Sequence, residues 1–273
     1  GLYSSGVYNL VTTELLEYDG GEDGGNSYLT QVTQRVQGGT TGERVTSFVN
    51  DARGRTIVVE APLAPHSVSL YDNLGRVTAS ATYSDVTGFT AAADPTDQTN
   101  YGEDRMSLSR TYYDERGQVY ESREYKINQS SGAVVTSTGD VYLYSKSWYD
   151  SVGRALKTAG EQIGKTVYDR LGRPTHSFVI ASSRPSVNSD AFGVSDDVVL
   201  EESQTAYSED TGSVLLSASI SRFHDDYGTG LTTGPLDLDS ENSGVGDPLI
   251  YTDSDILARI QIIASWYDEW DRL

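Results

Sequence analysis

Residues with chemically active side chains recur along this chain in one short pattern. A tyrosine and an aspartate are followed, after two further residues, by glycine and arginine, so that a phenol, a carboxylate and a guanidinium lie within six residues. Three copies of this Y-D-x-x-G-R pattern are complete: Tyr71–Arg76, Tyr149–Arg154 and Tyr168–Arg173. Catalysis normally needs one asymmetric constellation of groups, whereas these groups return at every copy. We therefore interpret them as structural.

Incomplete copies extend the pattern along the chain. Tyr113–Gln118 has glutamine in place of arginine, and Asn50–Arg55 has asparagine in place of tyrosine. Tyr207–Gly212 displaces the aspartate and lacks the arginine, and Tyr267–Arg272 has aspartate where glycine is expected. The candidate structural residues of the motif are Asp51, Gly54, Arg55, Tyr71, Asp72, Gly75, Arg76, Tyr113, Asp114, Gly117, Tyr149, Asp150, Gly153, Arg154, Tyr168, Asp169, Gly172 and Arg173.

The D-x-x-G part of the motif predicts a tight turn. Aspartate at the first position of a type I turn accepts hydrogen bonds from nearby backbone N–H groups, and glycine three residues later adopts the left-handed conformation that closes the turn. The flanking residues are rich in Val, Thr, Tyr and Ser, which favours strands. Each copy therefore predicts a β-hairpin, and an arginine near its tip could stack on an aromatic ring or pair with the aspartate.

The spacing of the copies predicts an all-β fold of consecutive antiparallel hairpins. Successive aspartates lie about 20 residues apart, or about twice that, which accommodates two strands and a turn. A short repeat cannot bury its apolar face alone and must stack on its neighbours. A twisted sheet of so many strands does not stay flat, so we expect it to coil or close.

The motif resembles the YD repeat of the Rhs family, which also occurs in teneurins and in shell-forming components of insecticidal toxin complexes. The match holds residue by residue in the three complete copies and in the two copies with one change. The resemblance implies a spiralling sheet that forms part of a hollow shell or β-solenoid. It also implies that the chain is a segment of a much longer polypeptide.

Other candidate chemistry is sparse in the sequence. His66, His176 and His224 lie far apart, without the spacing of metal ligands. The segment Asp237–Glu241 resembles the start of a calcium loop but lacks the glycine and glutamate that such a loop requires, so we read it as a solvated acidic loop and leave incidental calcium binding open. Neither a catalytic motif nor a cofactor motif is present, and we predict no enzymatic activity, no cofactor and no metal.

The composition excludes some partners. With 40 acidic and 20 basic residues the chain has a net charge of −20, which repels nucleic acid and anionic lipid. It contains no cysteine and therefore no disulfide. No run of about 18 apolar residues is present, so we expect no membrane insertion. The 19 tyrosines against 5 phenylalanines suit a thin sheet with limited burial.

The domain organisation is predicted to be one YD-repeat segment over residues 1–273, interrupted by loop insertions at 83–107, 181–197 and 224–255. The stretch Ile256–Ile263 is compatible with a helix, but its β-branched residues favour a strand.

Three functions are compatible with this sequence. The first is a non-catalytic scaffold in a large secreted or cell-surface bacterial protein, whose candidate partners are the rest of its own longer chain, further copies and surface molecules. The second is a wall segment of a shell that encapsulates a toxin cargo. A carbohydrate-active β-solenoid enzyme is the third, and it rests only on the abundance of aromatic and acidic residues.

Overall fold

The computed structural model describes residues 13–21, 25–35, 42–135, 141–181, 191, 193–195, 197–222, 234, 236 and 258–266. The chain divides into two compact units: residues 1–114 with 121–144, and residues 115–120 with 145–273. The degenerate copy Tyr267–Arg272 lies outside the described residues, as does the loop 224–255 apart from Gly234 and Leu236. The predicted single-segment organisation stays a prediction.

The first unit contains seven whole strands joined as a meander. Each strand pairs antiparallel with its neighbour in the chain. The strands are β1 (Glu14–Tyr18), β2 (Leu29–Gln34), β3 (Arg44–Asn50), β4 (Thr56–Glu60), β5 (His66–Tyr71), β6 (Val77–Tyr83) and β7 (Arg105–Tyr113). The boundary between the units falls within the next two strands, β8 (Val119–Tyr125) and β9 (Tyr142–Tyr149).

The second unit continues in the same manner. Residues 146–149 of β9 pair with the first whole strand of this unit, and each later strand pairs antiparallel with the one before it. The strands are β10 (Ala155–Ala159), β11 (Ile163–Tyr168), β12 (Pro174–Ile180), β13 (Val199–Tyr207), β14 (Val214–Arg222) and β15 (Ala258–Ala264). The described residues confirm the all-β fold of consecutive antiparallel hairpins, and they confirm that the ambiguous segment is a strand from Ala258 onward.

The core of the first unit lies on one face of its sheet. Side chains of β6 alternate, so that Ala79, Ala81 and Tyr83 are buried while the residues between them are half-buried. The connection between β6 and β7 covers this face, and its Phe89 packs edge-on against Tyr83 with ring centroids 5.1 Å apart. A single helical turn, α1 (Gln98–Tyr101), closes the connection and begins at the N-cap Asp97.

The core of the second unit is smaller. Phe178, Ile180, Val199 and Ile220 form it, together with Leu236 from the acidic segment. Among the described residues no helix has both the length and the apolar content needed to cross a bilayer.

Candidate functional site: a ladder of hairpin turns

Each complete motif folds as the same hydrogen-bonded turn. In the copy that begins at Tyr71, the Asp72 carboxylate accepts from the backbone N–H of Leu74 at 2.8 Å and of Arg76 at 2.9 Å. The other carboxylate oxygen accepts from Arg76 Nε at 2.7 Å. The Gly75 N–H donates to the Asp72 carbonyl at 3.1 Å. The same bonds recur around Asp51, Asp150 and Asp169.

Glycine closes each of these turns in the left-handed region. Gly75 has φ 84° and the glycines of the other copies lie between 75° and 93°. A side chain is strained in that conformation, which explains why glycine stands at this motif position. Gly117 has φ 84° although its copy lacks arginine, so the turn does not depend on the arginine side chain.

The turns hold their carboxylates ionised. At Asp72 the backbone hydrogen bond from Arg76 lowers the pKa, and it outweighs the opposing effect of burial. At Asp51, Asp150 and Asp169 burial is the largest single influence and raises the pKa, but the combined hydrogen bonds from the motif arginine and the neighbouring N–H hold the pKa below the usual value.

The guanidinium of each motif arginine also lies over the tyrosine of the following hairpin. In the first unit the Arg55 guanidinium carbon is 4.9 Å from the Tyr71 ring centroid, and that of Arg76 is 4.4 Å from the Tyr113 centroid. In the second unit the corresponding pairs are Arg154 with Tyr168 at 4.7 Å and Arg173 with Tyr207 at 4.4 Å. Arginine therefore stacks and pairs with aspartate at once, and the ring belongs to the next copy rather than its own.

The tyrosine hydroxyl adds a second link between consecutive hairpins. Tyr113 donates to the carbonyl of Val77, the residue directly after Arg76, at 2.9 Å. Four further tyrosines donate to the carbonyl at the equivalent position of the preceding copy: Tyr71 to Thr56, Tyr149 to Val119, Tyr168 to Ala155 and Tyr207 to Pro174. We call these repeated links between one turn and the next the turn ladder; each unit contains its own part of it.

Glutamine replaces the arginine link in one copy. Gln118 Nε2 donates to the Gly153 carbonyl at 2.8 Å, so a neutral side chain still reaches the following turn. The ladder is therefore continuous over the described copies of the second unit, from Gln118 to Tyr207.

A second set of arginines, not recognised from the sequence, strengthens two steps of the ladder. Arg53 and Arg116 stand immediately before the motif glycine, where the other copies have Leu or Val. Arg53 Nη1 donates to the Asn73 carbonyl at 2.7 Å, and Arg116 Nη1 donates to the Ser151 carbonyl at 2.7 Å. In the complete copies this position instead exposes Leu74, Val152 and Leu171 to solvent.

The sequence predicts a hairpin at the start of the first unit, with a Gly-rich turn at Asp19–Gly25 between Glu14–Tyr18 and Tyr28–Val36, and the structure confirms the paired strands. What the sequence did not identify is that this turn is a degenerate copy of the motif. Asp19 N–H donates to the Tyr28 carbonyl at 3.0 Å and the Asp19 carboxylate accepts from Tyr28 N–H at 3.1 Å, as aspartate and arginine do elsewhere. Asn50, which replaces the motif tyrosine, donates from Nδ2 to the Leu29 carbonyl at 2.8 Å. The signal in the sequence is the pair Tyr18-Asp19, but the loop between Asp19 and its partner Tyr28 is longer than the loop of the complete motif.

The displaced copy Tyr207–Gly212 forms a hairpin as predicted. Ser208 takes the place of aspartate: its Oγ accepts from Thr211 N–H at 3.2 Å, and its N–H donates to the Ser213 carbonyl at 2.8 Å. Gly212 has φ 79°.

Each of these motif aspartates is engaged within its own turn. Asp51, Asp72, Asp150 and Asp169 each pair with the arginine four residues later in the same turn. Within the described part of the chain no group of three or more His, Asp or Glu side chains is placed to hold a metal ion.

Two of the three histidines lie among the described residues, and each has a contact within its own unit. His66 Nδ1 accepts from Ala61 N–H at 3.1 Å, and His176 stacks on Phe178 with ring centroids 6.1 Å apart. His224 and the Asp237–Glu241 loop lie outside the described residues.

Comparison with known proteins gives structural matches only. No family model and no curated protein matches the chain. The chain is similar to the crystal structure of TcdB2-TccC3-Cdc42, with 11% identity, coverage of 78% of this chain and 13% of that chain, and a TM-score of 0.30. The crystal structure of TcdB2-TccC3-TEV matches with 12% identity, coverage of 78% of this chain and 13% of that chain, and a TM-score of 0.31. A Photorhabdus luminescens Tc holotoxin pore matches with 12% identity, coverage of 73% of this chain and 14% of that chain, and a TM-score of 0.24. The chain thus spans only a small part of the structures it matches.

A double-mutant cycle tests one step of the ladder. Arg173→Gln and Tyr207→Leu together are expected to destabilise the chain by about 0.5–2 kcal/mol less than the sum of the single changes, because the stacking is lost only once. Urea unfolding of the four proteins measures this coupling. With Tyr207→Phe, which keeps the ring and loses only the hydroxyl, the coupling to Arg173→Gln is expected to be near zero. A coupling near zero with Tyr207→Leu would contradict the stacking.

Acid is expected to destabilise the turns. A carboxyl whose folded-state pKa is lowered stabilises the fold above its unfolded value, near 3.8, and that contribution is lost as the pH falls through the folded pKa. The urea midpoint should therefore fall between about pH 5 and the lower folded-state pKa values. Asp72→Asn with Asp169→Asn should make this fall shallower but not abolish it, since Asp85 and Asp97 also have lowered pKa values. If the urea midpoint of the double variant fell with pH as steeply as that of the unmodified chain, these two turns would be excluded as the source of the acid sensitivity.

Proposed function

We propose that the chain is a non-catalytic structural and interaction scaffold built of YD repeats, and that it forms a segment of a large secreted or surface protein of a bacterium. The observation that carries the proposal is the turn ladder. Every motif arginine is engaged twice, by its own aspartate and by the next hairpin's tyrosine. Groups held in this way fix the position of one hairpin relative to the next and are not available to a substrate.

The ladder supports a mechanical role because its contacts act together. Backbone pairing sets the spacing between neighbouring strands, whereas the arginine, tyrosine and glutamine links fix neighbouring turns at the end of the strands. A guanidinium that pairs bidentately or stacks on an aromatic ring loses little further freedom, because it is planar and rigid. We therefore expect the sheet to be stiff along the edge formed by the turns.

The partners we propose are the remainder of a longer chain and surface molecules or further copies. The net charge of −20 makes nucleic acid an unfavourable partner. An extracellular or cell-surface location is part of the same proposal.

A second candidate is a wall segment of a shell that holds a toxin cargo. The resemblance of the Y-D-x-x-G-R copies to the Rhs repeat favours it, because shell-forming components of insecticidal toxin complexes carry that repeat. The coiling of the sheet, which this candidate requires, stays a prediction.

Electron microscopy of the intact parent polypeptide tests both candidates. An extended or open outline would support the scaffold, and a closed hollow vessel would support the shell. A parent molecule that converts substrate from a glycan panel, with activity lost on changing residues of this segment, would contradict the non-catalytic assignment.

A matched variant tests the mechanical role itself. Changing Arg76, Arg154 and Arg173 together to glutamine, the residue that occurs naturally at position 118, removes three stacked cations while leaving the glycine turns. We expect the hairpins to persist by circular dichroism while amide hydrogen exchange at the turns becomes faster. Unchanged exchange would show that the ladder does not stiffen the sheet.

A further inference from the structure

Two residues of the acidic segment between β14 and β15 lie against the sheet of the second unit. Gly234 forms a parallel bridge with Val198, and its N–H donates to the Asp197 carbonyl at 2.9 Å. Leu236 is fully buried, with 0% of its surface exposed. A segment rich in Asp, Gly and Ser thus has a leucine inserted into the core.

The side chain of Leu236 occupies an apolar site on the sheet face. Phe178 and Ile180 of β12, Val199 of β13 and Ile220 of β14 form that site. All four are at most 6% exposed, and the leucine is part of the same buried cluster. Burial of one leucine at such a site is strongly favourable.

The backbone of the segment is recognised as well. Leu236 N–H donates to Glu202 Oε2 at 2.8 Å, while Gly234 N–H is bound by the Asp197 carbonyl. Glu202 is itself 1% exposed, so its carboxylate needs hydrogen-bond donors in place of water. Main-chain bonds beside a pocket for a side chain are the pattern by which sheets bind extended peptides.

Two side chains contact the residues that carry these acceptors. Gln204 Nε2 donates to Glu202 Oε1 at 2.8 Å, which orients the carboxylate toward Leu236. The ammonium of Lys165, which is 3% exposed, contacts the Asp197 carboxylate and the Gly193 carbonyl. Gln204, Lys165 and Gly193 all lie outside the acidic segment, so these contacts are made by other parts of the unit.

We propose that this face of β12–β14 is a binding site for a peptide with the pattern Gly-x-Leu, and that the chain fills the site with its own Gly234 and Leu236. The pocket selects the leucine, the Asp197 carbonyl and the Glu202 carboxylate bind the two amides, and the bound segment blocks the site against a competing peptide.

The site is tested by ejecting the chain's own segment from it. Leu236→Asp places a carboxylate beside the buried Glu202 and is expected to release the segment. A fluorescent peptide with the sequence of residues 232–239, TTGPLDLD, should then bind at least about tenfold more tightly than to the unmodified chain, where the tethered segment competes at an effective concentration of about millimolar. The control variant Leu215→Asp, at a side chain 43% exposed, should bind as weakly as the unmodified chain.

Two further readouts decide the outcome. A peptide with alanine in place of the leucine at position 236 should bind the Leu236→Asp chain at least about tenfold more weakly, and adding Glu202→Gln should weaken the leucine peptide. Equal binding of the leucine and alanine peptides would overturn the proposal. Hydrogen exchange of the unmodified chain does not depend on whether a variant folds. In that chain the amides of Gly234 and Leu236 should be protected, and exchange at the rate of a free peptide would also overturn the proposal.

Discussion

Lys165→Met is expected to lower the free energy of unfolding by about 3 kcal/mol, because it leaves a mostly buried carboxylate without its cation. The Lys165 side chain is 2% exposed and that of Asp197 is 12% exposed, so the ammonium is withdrawn from bulk water and the carboxylate is largely shielded from it. Methionine fills similar volume but cannot neutralise Asp197 or donate to the Gly193 carbonyl. Urea unfolding followed by tyrosine fluorescence measures the loss.

Two variants separate this charge effect from a loss of lysine in general. Lys126→Met alters an exposed lysine and is expected to change stability by no more than about 0.5 kcal/mol. Asp197→Asn added to Lys165→Met should restore part of the loss, since no uncompensated charge then remains. A Lys165→Met protein as stable as the Lys126→Met protein would show that the pair contributes nothing.

Gly132→Ala is expected to cost at least about 3 kcal/mol, well above the cost of the same change at a motif glycine. Gly132 has φ 64°, and a Cβ there would lie 2.0 Å from the Gly102 carbonyl oxygen and 2.9 Å from the Arg105 nitrogen. Both are backbone atoms, so relief of the clash requires movement of the connection that covers the core. Left-handed strain and overpacking therefore add together.

Gly75→Ala is the matched control for this change. Gly75 has φ 84°, but no heavy atom lies within 4 Å of a Cβ at that position. Only the conformational strain remains, and we expect a loss of about 1 kcal/mol. Urea midpoints of the two variants measure the difference, and equal losses would mean that the close approach of Gly132 to Gly102 does not constrain the fold.

The hairpins were predictable because their determinants are local. Aspartate and glycine at fixed spacing specify a turn through bonds that span at most four residues, as at Asp72 and Gly75. The strand at Ala258–Ala264 followed from β-branched content in the same way. Such signals are contained in a short stretch of sequence and need no knowledge of what lies beside it.

The contacts between hairpins were not predictable in the same way. The motif shows an arginine and a tyrosine six residues or fewer apart, yet Arg76 stacks on Tyr113, which is 37 positions away. Which tyrosine an arginine reaches depends on which strands lie side by side and on the length of the connection between them. The turn at Asp19 was predicted from its glycines, but it was not recognised as a copy of the motif because its loop is longer than the motif allows.

The helical turn illustrates the limit on irregular segments. The sequence predicted a loop insertion over residues 83–107 without placing its helical turn, which lies at Gln98–Tyr101 and is capped by the Asp97 carboxylate. Leu236 is a similar case, since its burial depends on a pocket formed by strands distant in sequence. Composition alone gives a leucine in an acidic segment no particular role.

Each motif arginine contacts the tyrosine of the hairpin that follows it in the chain, and this has a consequence for how such a chain changes in length over evolution. Each complete hairpin offers a ring to the hairpin before it and a cation to the hairpin after it, so a complete hairpin duplicated whole meets a compatible neighbour on both sides. If one whole hairpin is lost, the arginine of the hairpin before it can contact the tyrosine of the hairpin after it. Insertions of part of a hairpin would instead leave both groups unmatched, and we expect related chains to differ by whole units.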